Sequence, residues 1–193
     1  MAVGGWVPPI RCGHAGQESS AALDALRLGL GAMEKGDYES ALGHYGFALE
    51  SSGSDEIRFQ AYLGMGSAHA ASDRLDDAAA AYRAALEIRP DHAAALYSLG
   101  LVTKDQGRYE EAAQLFASAA VRDPQLGAAL VELGIVYEHL GRHEDAVDVC
   151  RRAVTMLEDD EAPLLCVGVA TYHMGLYSEA LAVFETVVEN NPG

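Results

Sequence analysis

The chain has 193 residues, half of them apolar and 22% charged, which is enough to bury a core and rules out a globally disordered protein. Acids number 29 against 13 bases, for a formal net charge of −16. The phosphates of nucleic acid and an anionic membrane surface are therefore both poor partners. No apolar run approaches the ~18 residues of a spanning helix, so no direct membrane insertion is expected. Three cysteines, Cys12, Cys150 and Cys166, are too few and too scattered for a disulfide scaffold or a zinc module. They read as thiols of a reducing compartment, and a cytoplasmic location is expected.

Residues 1–21 are expected to be a flexible N-terminal leader. Gly4, Gly5, Pro8, Pro9, Gly13 and Gly16 interrupt any regular element there. The segment lacks the charged and apolar regions of a secretory signal. Its apolar patch, Trp6, Val7, Pro8, Pro9 and Ile10, carries a second reading as a segment that docks into a groove.

From residue 22 onward the sequence repeats. Gly100, Gly134 and Gly168 are spaced by 34, and so are Ala112, Ala146 and Ala180. Gly66 and Ala78 precede them in the same register. Gly29 and Ala41 precede those by 37 residues, the three extra falling near the turn-rich Ser51-Ser52-Gly53-Ser54-Asp55. In the middle unit Leu96, Leu99, Gly100 and Thr103 follow i, i+3, i+4, i+7 and share one helix face. Gly107 ends that helix A. Ala112, Phe116 and Ala119 line one face of a helix B, and Pro124 stops it. The small Gly100 and Ala112 allow the two backbones to approach closely, with Phe116 filling the space beside them. The A helices are predicted over 22–35, 59–72, 93–106, 127–140 and 161–174, and the B helices over 38–51, 75–88, 109–122, 143–156 and 177–190.

This pattern resembles the tetratricopeptide repeat, a 34-residue helix–turn–helix unit. The resemblance covers residues 22–193 in five units, 22–58, 59–92, 93–126, 127–160 and 161–193. It implies an all-α, right-handed superhelical solenoid of antiparallel helix pairs, in which neighbours stack because no unit buries its apolar face alone. Two departures soften some turns: Gly53 and Glu158 stand where other units have Pro90, Pro124 and Pro192. Ala32, Thr103 and Thr171 replace the usual bulky residue of helix A.

Little in the chain points to chemistry. His139 and His173 share a repeat position, but stacked helix pairs set such residues about 10 Å apart, too far to share a zinc ion at ~2 Å bonds. Gly141 separates His139 from His143. The histidines therefore read as surface or groove residues, with no metal and no cofactor expected. Cys150 stands where other units carry Phe116 or Tyr82, and reads with Cys166 as a buried pair of thiols. Asp76-Asp77, Glu110-Glu111 and Glu144-Asp145 each begin a helix B, where acids favour the helix N-terminus. No catalytic triad or phosphate loop stands apart from the repeat, so no enzyme is expected.

The resemblance implies that the A helices line a concave surface that binds the ligand. Its groove positions fall on Leu26, Leu30, Met33, Leu63, Tyr97, Leu101, Lys104, Val131, Ile135, Glu138, Leu165, Val169 and Tyr172. Chaperone-binding members hold a terminal carboxylate with Lys, Asn and Arg at such places. Here Leu26, Leu30, Leu63, Tyr97 and Leu101 stand instead, so the carboxylate clamp is absent. An apolar floor with a polar rim from Glu34, Lys104, Asp105 and Glu138 fits an apolar peptide or an amphipathic helix. The expected function is a protein–protein interaction scaffold or adaptor. The alternatives are the repeat portion of a larger enzyme, such as a protein glycosyltransferase, or an assembly factor for a membrane or organelle complex. After Arg152 there is no Lys or Arg, while Glu158, Asp159, Asp160, Glu161, Glu179, Glu185 and Glu189 follow. That end suits a basic partner. Leu181 and Val188, with Val183 beside them, are expected to form an apolar patch there that supports self-association.

Overall fold

The structure is a computed structural model that describes residues 15–157 and 160–190. Trp6 to Ile10, Cys12, Glu158, Asp159 and Pro192 lie outside the described residues. Within them are ten helices and no strands. The A helices are α1 (Ala15–Glu34), α3 (Asp55–Ala71), α5 (Ala93–Asp105), α7 (Gly127–His139) and α9 (Ala162–His173). The B helices are α2 (Tyr38–Ser51), α4 (Leu75–Ile88), α6 (Tyr109–Arg122), α8 (His143–Val154) and α10 (Tyr177–Asn190). Each helix packs on the next along the chain. Beyond these neighbours, α1 touches α3, α5 touches α7 and α7 touches α9, with no comparable contacts between successive B helices. The array therefore curves with its A helices on the inner side.

Two helices start earlier than the repeat register predicts. The leader expected over residues 1–21 gives way to α1 at Ala15. Gly16 falls in its first turn, where the helix has few hydrogen bonds to lose, and the next proline after Pro9 is Pro90. Helix α3 begins at Asp55 rather than 59, and so absorbs part of the insertion between the first two units. Asp55 and Glu56 occupy its first turn, where carboxylates complement the helix dipole.

One turn recurs between each A helix and its B helix. In the middle unit the Gly107 amide donates to the Lys104 carbonyl at 2.8 Å, and the Arg108 amide to the Thr103 carbonyl at 2.9 Å. This pair of bonds satisfies the last carbonyls of the helix and requires a left-handed residue between them. Gly36, Gly107, Gly141 and Gly175 supply it with φ between 69° and 79°. Asp73 takes the same place in the second unit at φ 59°. Acids then open every B helix, singly as Glu39 in α2 and Glu179 in α10 and as the pairs Asp76-Asp77 in α4, Glu110-Glu111 in α6 and Glu144-Asp145 in α8.

The core is a repeated contact between a glycine of helix A and a bulky side chain of helix B. A Cβ placed on Gly29 or Gly66 would come within 2.6 Å of Tyr45 or Tyr82, respectively, and one on Gly168 within 2.5 Å of Phe184. Thr103 is fully buried and returns its hydroxyl to the Leu99 and Gly100 carbonyls at 2.9 and 3.0 Å. Thr171 does the same to Val167 at 2.6 Å. Each hydroxyl is satisfied within its own helix, so a polar residue at a core position leaves no orphan donor.

The fourth unit corrects the expectation of two buried thiols. Cys150 of α8 and Cys166 of α9 form a disulfide, with Cα atoms 6.0 Å apart. Cys150 occupies the place of the helix B ring: its sulfur lies against Gly134 as the rings lie against their glycines, and it is bonded to a sulfur from the following helix A. Gly134 leaves the room, since a Cβ there would run into both sulfurs. The bond fastens the fourth unit to the fifth. It also removes the cysteine argument for a reducing compartment.

Candidate binding groove

The inner surface carries two apolar hollows. The first, about 300 Å³, lies between α1 and α3 and is walled by Leu26, Leu30, Met33, Tyr45, Leu63 and Ser67, among others. The second, about 470 Å³, lies between α7 and α9. Val131, Ile135, Ala162, Leu165 and Val169 form its apolar wall, and Glu138, His139 and His173 form its rim. Helical geometry explains the grouping. Val131, Ile135 and Glu138 follow i, i+4, i+7 on α7, while Leu165, Val169 and His173 follow i, i+4, i+8 on α9.

Nine of the thirteen predicted groove residues line a hollow: Leu26, Leu30, Met33 and Leu63 the first, and Val131, Ile135, Glu138, Leu165 and Val169 the second. They are not equally available. Leu26 and Val131 are buried core residues that reach the hollows only with an edge, whereas Leu30 is 58% exposed. Tyr97 and Leu101 are half-buried and pack against the core of the third and fourth units. Tyr97 leans on the Phe116 ring at 5.7 Å between centroids. Burial, and then the Glu132 carboxylate, raise its phenol above the ordinary tyrosine range. Tyr172 lies edge-on to Tyr177 at 5.3 Å rather than lining the second hollow.

Lys104 is bound to Glu132 of the next A helix at 2.7 Å, and both side chains are largely covered. A lysine committed to a neighbouring carboxylate is a poor receptor for a peptide's terminal carboxylate. The middle of the inner surface thus carries a paired lysine and carboxylate between the two apolar hollows.

The histidines need a second correction. They are not merely scattered surface residues, because Glu138, His143 and His173 converge. His143 Nδ1 lies 2.8 Å from Glu138 Oε1, and His173 Nδ1 lies 2.5 Å from Glu138 Oε2. The pairing joins the end of α7, the start of α8 and the end of α9. The pairs weighed from sequence, His139 with His143 and His139 with His173, missed it. His139 instead stacks on Tyr109 at 4.5 Å. Tyr109 with His139 shows the same relation one unit earlier, the first residue of a helix B against the last turn of the following helix A, but aligning the units does not place these unlike positions together.

A sequence model of the tetratricopeptide repeat matches residues 26–93, 63–126 and 97–163. The chain belongs to the tetratricopeptide repeat family. Solved structures agree with this membership. A crystal structure of the MamA protein aligns with a TM-score of 0.82 at 20% identity, covering 90% of this chain and 93% of that one. MamA from Desulfovibrio magneticus RS-1 aligns at 0.80 and 21%, covering 89% and 96%. YrrB, described as a tetratricopeptide repeat protein with an unusual peptide-binding site, aligns at 0.78 and 18%, covering 91% and 88%. At such identities the likeness establishes the shared solenoid fold. No curated protein matches the chain in sequence. Among the described residues, no helix is long and apolar enough to cross a membrane. As a tetratricopeptide repeat protein, the chain has the architecture of a protein-interaction scaffold.

Proposed function

We propose that this tetratricopeptide repeat protein acts as an adaptor that holds an apolar peptide or an amphipathic helix along its inner surface. The observation that carries the reading is the hollow between α7 and α9, walled by Val131, Ile135, Leu165 and Val169 with a carboxylate and two imidazoles at its rim. An apolar recess with few polar groups suits side chains spaced at i and i+4 on a helix. The hollow between α1 and α3 repeats that chemistry farther along the array. The peptide-binding site in the description of YrrB, which shares the fold, supports the same use of the scaffold.

Two features argue against recognition through a peptide's terminal carboxylate. Lys104 is already paired with Glu132, and its neighbours Tyr97 and Leu101 are apolar or packed. The chain's acidity, with 29 acids against 13 bases, favours a partner whose polar face is basic. Fluorescence anisotropy with amphipathic helical peptides tests the reading. Binding should be insensitive to amidation of the peptide C-terminus. It should weaken in Ile135→Asp and in Leu165→Asp while far-UV circular dichroism stays helical. Tight binding that depends on a free terminal carboxylate would contradict it.

A further inference from the structure

We propose that Glu138, His143 and His173 form a binding site for a divalent transition-metal ion of the zinc class. Three helices each contribute one donor residue, and the donor atoms all lie within 4.8 Å of one another. The donors of a tetrahedral ion with bonds of about 2.0–2.1 Å stand ~3.3 Å apart. Small side-chain rotations bring the three atoms to that spacing, because the two imidazoles already flank a single carboxylate.

The local electrostatics favour a cation. The Glu138 side chain is only 12% exposed, and among the described residues no Lys or Arg pairs with it. Arg142, next to His143 in the chain, is turned to Asp145 at 2.7 Å and lies over the Tyr137 ring at 4.2 Å. A largely covered carboxylate is therefore shared by two imidazoles and not neutralised by a fixed cation. That arrangement is met by two protons on nitrogen or by one ion. Imidazole with carboxylate selects zinc and its neighbours over calcium or magnesium, which take oxygen donors. Three protein ligands leave a fourth position for water or for a donor from a partner. Because Glu138 and His173 also stand at the rim of the α7–α9 hollow, the ion lies beside the surface proposed for peptide binding. The metal site does not depend on that proposal, and its test uses no peptide.

Zinc chloride titrated into the chain, free of any histidine tag and without reductant, gives the test by competition with a chromogenic chelator. One ion per chain is expected. Glu138→Gln, His143→Gln and His173→Gln should each weaken binding by more than about tenfold, since losing a ligand outweighs losing a group that only orients one. His139→Gln, which disturbs a ring stacked on Tyr109, should leave the affinity unchanged. Calcium chloride should not compete. The unaltered chain loaded with cobalt(II) should show the visible bands of a tetrahedral site without a thiolate charge-transfer band, and this readout needs no variant. The assignment is overturned by absence of stoichiometric zinc binding, by affinity that survives all three substitutions, by an equal loss in His139→Gln, by calcium competition, or by a thiolate band in the cobalt spectrum.

Discussion

Gly100 of α5 and Phe116 of α6 meet so closely that a Cβ on the glycine would stand 2.7 Å from the edge of the ring. The ring is fully buried, so making room for added bulk means moving packed neighbours. Gly43 of α2 offers the opposite case, with nothing within 4 Å of its added Cβ. The same change, glycine to alanine, should therefore have opposite signs at the two sites. Gly43→Ala should stabilise by about 0.5–1 kcal/mol through helix propensity. Gly100→Ala should destabilise, and Gly100→Leu should cost about 1–3 kcal/mol or more through overpacking. Urea unfolding followed by circular dichroism checks both. A neutral Gly100→Leu would mean that the two helices are not tightly apposed.

Asp73 makes a second comparison within the repeat. Four of the five turns between paired helices use glycine in the left-handed region, and Asp73 occupies the fifth at φ 59°. The backbone hydrogen bonds are the same there, with the Asp73 amide on the Ala70 carbonyl at 3.0 Å and the Arg74 amide on the His69 carbonyl at 2.9 Å. A side chain in this conformation costs roughly 1–2 kcal/mol, less for aspartate than for most residues. Asp73→Gly should accordingly raise stability by a few tenths to about 1 kcal/mol. Thermal unfolding measures it, and a lower midpoint would show that the carboxylate makes a compensating contact.

The repeat register made the fold legible because the Gly100–Phe116 contact imposes fixed residue sizes at fixed spacings. Gly66 with Tyr82 and Gly168 with Phe184 report the same contact in other units. What the register does not encode is contact between unlike positions of neighbouring units. Cys150 belongs to a helix B and Cys166 to the following helix A, so aligning the units never places the two sulfurs side by side. His143 and His173 are hidden in the same way, on the start of α8 and the end of α9. The groove was legible as a set of positions but not as a shape. Periodicity puts Tyr97 and Val169 on equivalent faces, yet only the packing shows that Tyr97 leans into the core while Val169 walls a hollow.

The Cys150–Cys166 bond closes a loop with a sequence separation of 16. Cross-links of that size stabilise by about 3 kcal/mol, chiefly by restricting the unfolded chain. Reduction should therefore lower the unfolding midpoint, and because the bond joins the fourth and fifth units, the loss should concentrate there. Hydrogen exchange on oxidised and reduced protein should show lost protection in α8, α9 and α10 and little change in α1 to α4. Peptide mapping without reductant should find the two cysteines linked. Two freely alkylated thiols in protein purified without reductant would contradict the bond.

Helix α10 carries exposed apolar side chains beside its buried ones. Ala180 and Val187 are buried, while Leu181 and Val188 are 59% and 68% exposed. Val183 turns the other way and packs against the core around Cys150, so it does not extend the patch. Burying one such side chain yields roughly 1.5–3 kcal/mol, which is a sufficient drive for weak association between copies. Glu179, Glu185 and Glu189 lie on the same helix and are exposed, with no Lys or Arg after Arg152 to offset them. Two copies meeting through α10 repel each other, and salt screens that repulsion. Association should therefore strengthen as ionic strength rises, the reverse of an interaction held by opposite charges. Sedimentation velocity at two salt concentrations should show a concentration-dependent shift at high salt, lost in the double variant Leu181→Glu with Val188→Lys. A chain that remains monomeric at high concentration and high salt, with or without the substitutions, would show that this face needs no cover.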